Sequence, residues 1–179
     1  WFVEESPAPA HNNAALSSNG SVAFGSSELG LGTHLVSAVN DGFYSNAKSW
    51  IAAGNDTNPF IGVSFRKSIR VKAIAWGRDN GDDTGDCCDG QIKDRWKGVY
   101  TLQVTQVDEP GLATGETGDA TTGWLTIATI EYKEETDDFI PYLRHEFQVG
   151  DIQGSPIPAT AVRLKVSNAS IAIDELEVN

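Results

Sequence analysis

Apolar and polar positions along this chain alternate in short bursts, and the bursts predict strands. Residues 60–65 put Phe60, Gly62 and Ser64 on one face and Ile61, Val63 and Phe65 on the other. Residues 69–76 alternate as well, but the apolar parity shifts near Ala73. In residues 100–105 the set Tyr100, Leu102 and Val104 points to a core. Further strands are expected over 124–130, 144–149, 161–166 and 171–178, where β-branched residues suit a pleated, half-buried surface.

Turn chemistry separates these bursts. Asp108-Glu109-Pro110-Gly111 and Gly150-Asp151 are typical chain reversals. No helical stripe persists beyond two turns; at most a turn of helix fits 27–31 or 42–48. Many short strands joined by well-populated loops predict an all-β sandwich. Two loops are long: residues 79–98, densely polar, and 108–123, rich in Gly and Thr. Long loops in a compact domain are commonly functional. There is no internal repeat.

With 179 residues the chain suits one domain. Pro7 and Pro9 make residues 1–13 an expected extended arm or linker, because Pro fixes φ and lacks a backbone donor; the sandwich is expected over 14–179. Its apolar start is too short and too acidic for a signal peptide, so any targeting segment is expected to be removed already or not included. No apolar run approaches the roughly 18–20 residues that insertion across a bilayer needs, so no membrane insertion is expected.

Charge narrows the partners. Twenty-five acidic residues oppose 13 basic ones, a formal net charge of −12. That field repels nucleic acid and disfavours anionic membrane. Excess carboxylate of this kind is either solvating or calcium-ligating. Cys87 and Cys88 are neighbours and cannot staple distant parts of the fold; a vicinal ring, an intermolecular bond and free thiols all stay open. Asn19, Asn55 and Asn168 each begin an Asn-x-Ser/Thr triplet, which matters only in a eukaryotic secretory setting. His11, His34 and His145 are scattered and sit in no catalytic motif, and the carboxylates among residues 131–138 read as a solvated strand edge, so no enzymatic activity is expected.

Several stretches, in this order, resemble the discoidin, or coagulation-factor C-type, family of galactose-binding-like domains, nearest to bacterial carbohydrate-binding modules of large surface or secreted proteins. They are Ala15-Leu16-Ser17-Ser18-Asn19-Gly20, Val39-Asn40-Asp41-Gly42-Phe43-Tyr44-Ser45-Asn46, Ser49-Trp50-Ile51 and Asn58-Pro59-Phe60-Ile61-Gly62-Val63. Then come Ala73-Ile74-Ala75-Trp76-Gly77-Arg78-Asp79-Asn80, Gly98-Val99-Tyr100-Thr101-Leu102-Gln103 and Ile173-Asp174-Glu175-Leu176-Glu177-Val178.

The resemblance implies an eight-stranded antiparallel jelly-roll sandwich with a calcium ion at the Asp-Gly turn. Asp41, Asn46, Ser49 and nearby carbonyls would ligate it, and Glu175 would close the site from the last strand, which suits an ion that takes six to eight hard oxygens. It also implies a glycan site in which Arg78 offers a fork of donors, Asp79 and Asn80 follow on the loop, and Trp96 supplies a flat platform. The competing roles are an ion pair from Arg78 to Asp79 or Asp94, and a core position for Trp96. The sequence departs from galactose-binding relatives in having Ile51-Ala52-Ala53 after the Trp and no aromatic in 167–170. Asp79, Asp82, Asp83, Asp86 and Asp89 are candidates for a second ion but do not follow the EF-hand pattern.

Two functions follow as expectations. One is a non-catalytic, calcium-stabilised glycan- or polysaccharide-binding module of an extracellular or cell-surface protein. The other is a structural or adhesive subunit that binds protein partners or itself, with the arm or the cysteines making the contact.

Overall fold

The computed structural model describes the backbone of Glu4–Glu5 and residues 12–30, 32–45, 48–78, 93–112, 114–135, 139–150, 154 and 156–179. Eleven strands form among the described residues: β1 (Glu4–Glu5), β2 (Val22–Gly25), β3 (Trp50–Ile51), β4 (Phe60–Val71), β5 (Ala73–Gly77), β6 (Gly98–Thr105), β7 (Leu125–Tyr132), β8 (His145–Gln148), β9 (Ile157–Val166), β10 (Ala172–Ile173) and β11 (Glu175–Val178). Three of these have two residues each, and setting them aside leaves the eight strands expected of the sandwich. Among the described residues 3-10 turns fall at Ser17–Asn19 and Val36–Asn40; of the helical turns expected at 27–31 and 42–48, the described residues 27–30, 42–45 and 48 are not helical.

One sheet has the order β2-β4-β9-β6-β7 and the other β1-β8-β5-β11; β10 and β3 make a separate two-stranded ribbon. All strand pairs are antiparallel. The core lies between the two larger sheets, where alternation puts Ile61, Val63, Leu102, Val104, Val162 and Leu164 on one inner face and Ile74, Trp76, Phe147, Leu176 and Val178 on the other. Trp76 stacks on Phe147 at 4.4 Å between ring centroids.

The parity shift near Ala73 has a physical cause. β4 ends at Val71, Lys72 is exposed, and β5 begins at Ala73 in the other sheet. The chain thus changes layers within one residue, and the side that faces the core inverts. The carbonyl of the terminal Asn179 accepts from the backbone N–H groups of both Lys72 and Ala73, which fixes the crossing.

The outer face of the five-stranded sheet is also covered. Arg163 lies 4.3 Å from the Trp124 ring centroid and 4.8 Å from that of Phe60, and Phe24 packs beside both rings. Gly62 sits under this cluster because a side chain has no room there: an added Cβ would come 2.5 Å from the Val162 carbonyl oxygen and 2.6 Å from Phe24. Within the expected arm, Glu4–Glu5 pair with β8. Asn13 then ties the start of the sandwich to its end, its Oδ1 accepting from Val178 N–H at 3.0 Å and from Ala15 N–H at 2.9 Å.

Candidate functional site

The strand register delivers Glu175 and Glu177 to the outer face of β11, opposite Gly77 and Ala75 of β5. Small neighbours leave room there for side chains from elsewhere. The 3-10 turn Val36–Asn40 and the Asp41-Gly42 turn cover this face, and both glutamates are buried. Gly42, at a φ of 89°, turns its N–H to Glu175 Oε2 at 3.2 Å, while Asn13 donates to Oε1 at 3.4 Å. Tyr44 O–H and Arg144 both donate to Glu177, and Arg144 also reaches Glu146, so that carboxylate is neutralised.

Glu175 differs. Among the described residues it has no ion-pair partner. Burial pushes its carboxyl up to about 10; the Gly42 N–H opposes this, and the carboxylates of Asp41, Glu177 and Asp174 add to it. Asp41 is raised as well, chiefly by burial, although Phe43 N–H donates to its Oδ1 at 2.9 Å and Lys48 lies 3.6 Å from its Oδ2. A buried carboxylate facing a second one is a place where a cation would relieve repulsion.

The donor chemistry fits a hard ion. No three His, Cys, Asp or Glu side chains converge on a metal position among the described residues. An ion at this turn would therefore draw on Asp41 and Glu175 together with carbonyl and hydroxyl oxygens, which is how calcium is commonly held. Ser49 is fully buried, with its Oγ 2.9 Å from His34 Nδ1. Asn46 lies outside the described residues.

At the exit of β5, Arg78 is 2% exposed. Its Nη1 donates to Asp174 Oδ1 at 2.6 Å, and its Nε and Nη2 each donate to Asp94 Oδ1 at 3.1 Å. Asp174 has a fully buried side chain, whereas that of Asp94 is 61% exposed. The guanidinium thus spans from the interior to the surface, with Asp94 as its exposed end. Next to it, Arg95 adopts a positive φ of 57°, and its carbonyl accepts from Ala172 N–H. Trp96 is half-buried against the core, with its indole N–H on the Lys93 carbonyl at 3.1 Å and its own carbonyl accepting from Tyr100 O–H at 2.6 Å. Lys93 extends over the Tyr142 ring at 5.6 Å.

This end thus unites two of the residues singled out from the sequence, Arg78 and Trp96, while Asp79 and Asn80 lie outside the described residues, as do Cys87, Cys88 and the acidic residues 82–89. Asp94 was one of the two ion-pair partners expected for Arg78, and that pair forms; Arg95, Asp174 and Tyr142 were not singled out. Asp94 and Arg95 precede Trp96 directly, so their adjacency was visible; the reach of Asp174 across 96 positions was not.

Solved structures share this architecture. A family 32 carbohydrate-binding module from Clostridium perfringens, solved with GalNAc-β-1,3-galactose, superposes with a TM-score of 0.62 at 13% identity, covering 93% of this chain and 99% of its own. The galactose complex of the family 32 module of C. perfringens NanJ gives 0.61 at 17% identity, with 93% and 98% covered. A fucolectin from striped bass, Morone saxatilis, gives 0.60 at 14% identity, covering 95% of this chain and 47% of its own. The chain has the galactose-binding-like fold. No protein-family model matches the sequence, and no curated protein matches it. The structural relatives are carbohydrate-binding modules and lectins across most of the chain's length.

Proposed function

We propose that this chain is a non-catalytic glycan-binding module, stabilised by calcium and working outside the cell. The observation that carries the reading is the exposed Asp94-Arg95-Trp96 segment, anchored from beneath by buried Arg78. Fixed acceptors and donors beside a half-exposed indole suit a sugar, whose hydroxyls need paired polar groups and whose ring face needs a flat apolar partner. Arg78 acts here as a positioning residue: it holds the Asp94 carboxylate, and Trp96 supplies the platform.

The ligands of the structural relatives support this choice. They include galactose, GalNAc-β-1,3-galactose, chitotriose and, for a module from Streptococcus pneumoniae, fucose. Two relatives derive from a chitosanase/glucanase, an enzyme of polysaccharides met outside the cell, and among the described residues no helix is long and apolar enough to cross a membrane. We assign the calcium to the Asp41–Glu175 pair, where it would supply Glu175 with the countercharge that Lys48 gives Asp41 and Arg144 gives Glu177.

A glycan array probed with and without calcium tests the reading. Binding to galactose-, GalNAc-, fucose- or glucosamine-bearing glycans that is lost on Trp96→Ala is expected. No binding under either condition contradicts it.

A further inference from the structure

Eight of the thirteen Lys and Arg side chains form ion pairs: Lys48, Arg78, Arg95, Lys97, Lys133, Arg144, Arg163 and Lys165. Of the five without an ion-pair partner among the described residues, four lie in one stretch of seven: Arg66, Lys67, Arg70 and Lys72, all exposed. No acidic residue interrupts residues 66–72. In a chain of net charge −12 this is a concentrated basic strip without an ion pair among the described residues.

It sits far from the Trp96 end. β4 starts at Phe60, which pairs with Lys165 of β9, and the next residue of β9, Val166, pairs with Tyr100, whose O–H donates to the Trp96 carbonyl. It finishes at Val71, beside the terminal Asn179. The strip therefore marks the opposite pole, where the register of β4 against β9 slips between Ser64 and Ile69. That slip lifts Phe65, Arg66 and Lys67 out of the regular ladder and opens a recess on each side of them. The larger has a volume of about 500 Å³ and is lined by Asn19, Ser21, Phe65, Arg66, Lys67 and Ile69, with no carboxylate among them. The smaller, about 320 Å³, also borders Asp108 and Glu109, and neither forms an ion pair with the two cations.

The geometry points to a second binding site, for an anionic saccharide chain, along Arg66, Lys67, Arg70 and Lys72 with Phe65 in the larger recess. Four cations over about 20 Å of strand suit a ligand with repeating carboxylate or sulfate groups better than one small anion. Phe65 offers the apolar surface a sugar ring needs, and Asn19 and Ser21 offer polar edges. The overall negative field does not cancel the strip, because charges beyond roughly 8 Å are screened at physiological salt. The preference for a saccharide over another polyanion rests on the glycan-binding reading above; the basic site itself does not.

Calorimetric titration of the whole chain with tetra-galacturonate, its methyl ester and sodium sulfate tests the inference. Tetra-galacturonate binds and weakens by about ten-fold or more on Arg66→Gln/Lys67→Gln, as expected for losing one charge-assisted contact or more. Affinity falls as salt rises, and the neutral ester does not bind. Ser68→Lys strengthens binding. Unchanged affinity in the double variant, sulfate binding as tightly as the oligomer, or phosphatidylserine vesicles captured through the same residues in place of the oligomer would overturn it. Neutral sugar binding is insensitive to Arg66 and Lys67, so failure at the Trp96 end and failure here read out separately.

Discussion

The backbone N–H of Gly42 donates to Glu175 Oε2 at 3.2 Å, joining residues 133 positions apart and setting a buried carboxylate against the Asp41 turn. Because the folded protein holds the Glu175 carboxyl up to about 10, without an ion it binds a proton that the unfolded chain, at an ordinary 4.5, releases. The stability this proton contributes is complete below about 4.5 and is lost as pH rises toward 10.

Chelated protein is therefore expected to melt at progressively lower temperature from pH 5 to pH 9, and saturating calcium to remove most of that slope. Calcium at 100 times its dissociation constant adds roughly 2.7 kcal/mol. Its binding releases a proton near neutral pH, measurable as a buffer-dependent enthalpy. Glu175→Gln, which imitates the protonated form, should flatten the slope in chelator and abolish the calcium response. A response that survives this substitution would place the ion elsewhere.

Arg78 and Asp174 form a buried ion pair, and without Asp174 the inner end of the guanidinium loses its buried countercharge while the outer end keeps Asp94. Asp174→Asn is expected to destabilise by about 3–5 kcal/mol in urea unfolding, while Arg78→Met with Asp174→Leu recovers much of the loss. Asp94→Asn, on the exposed side of the same guanidinium, should cost under about 1 kcal/mol. Equal costs at the two carboxylates would contradict the burial difference between them.

Gly62→Ala tests the outer-face cluster. The added methyl meets the Val162 carbonyl and Phe24 well inside contact distance, and the backbone oxygen cannot move aside cheaply. A loss of about 1–3 kcal/mol with an unchanged urea m-value is expected. Gly62→Ala at wild-type stability would mean that Phe24 and Trp124 do not pack against this strand.

The inner faces were legible because alternation is local: Tyr100, Leu102 and Val104 were read from six residues and all pack in the core. The layer change at Lys72 was visible only as a broken parity. The ribbon of β3 and β10 is two residues long on each side and leaves no period to detect. Phe24, Phe60 and Trp124 cover Arg163 on the face that alternation assigns to solvent, so pattern alone hides them. At the site, Asp41, Glu175, Arg78 and Trp96 could be picked out by residue type and resemblance. Asp94 could be named as a partner of Arg78 because it lies only 16 positions on. The partners Asn13, Tyr44 and Asp174 depend on register between distant strands and loops, which no local window contains.

The most direct measurement is an amide and indole NMR titration of the calcium-loaded chain with galactose. Five tryptophans give five potential indole N–H signals, and the Trp96 indole, held on the Lys93 carbonyl, should shift together with the amides of Asp94 and Arg95. Those of Trp50, Trp76 and Trp124, which are buried, should stay in place. Saturable shifts confined to the Trp96 end are the predicted result; an unchanged Trp96 indole at high galactose, with shifts gathered on another face, would contradict the account.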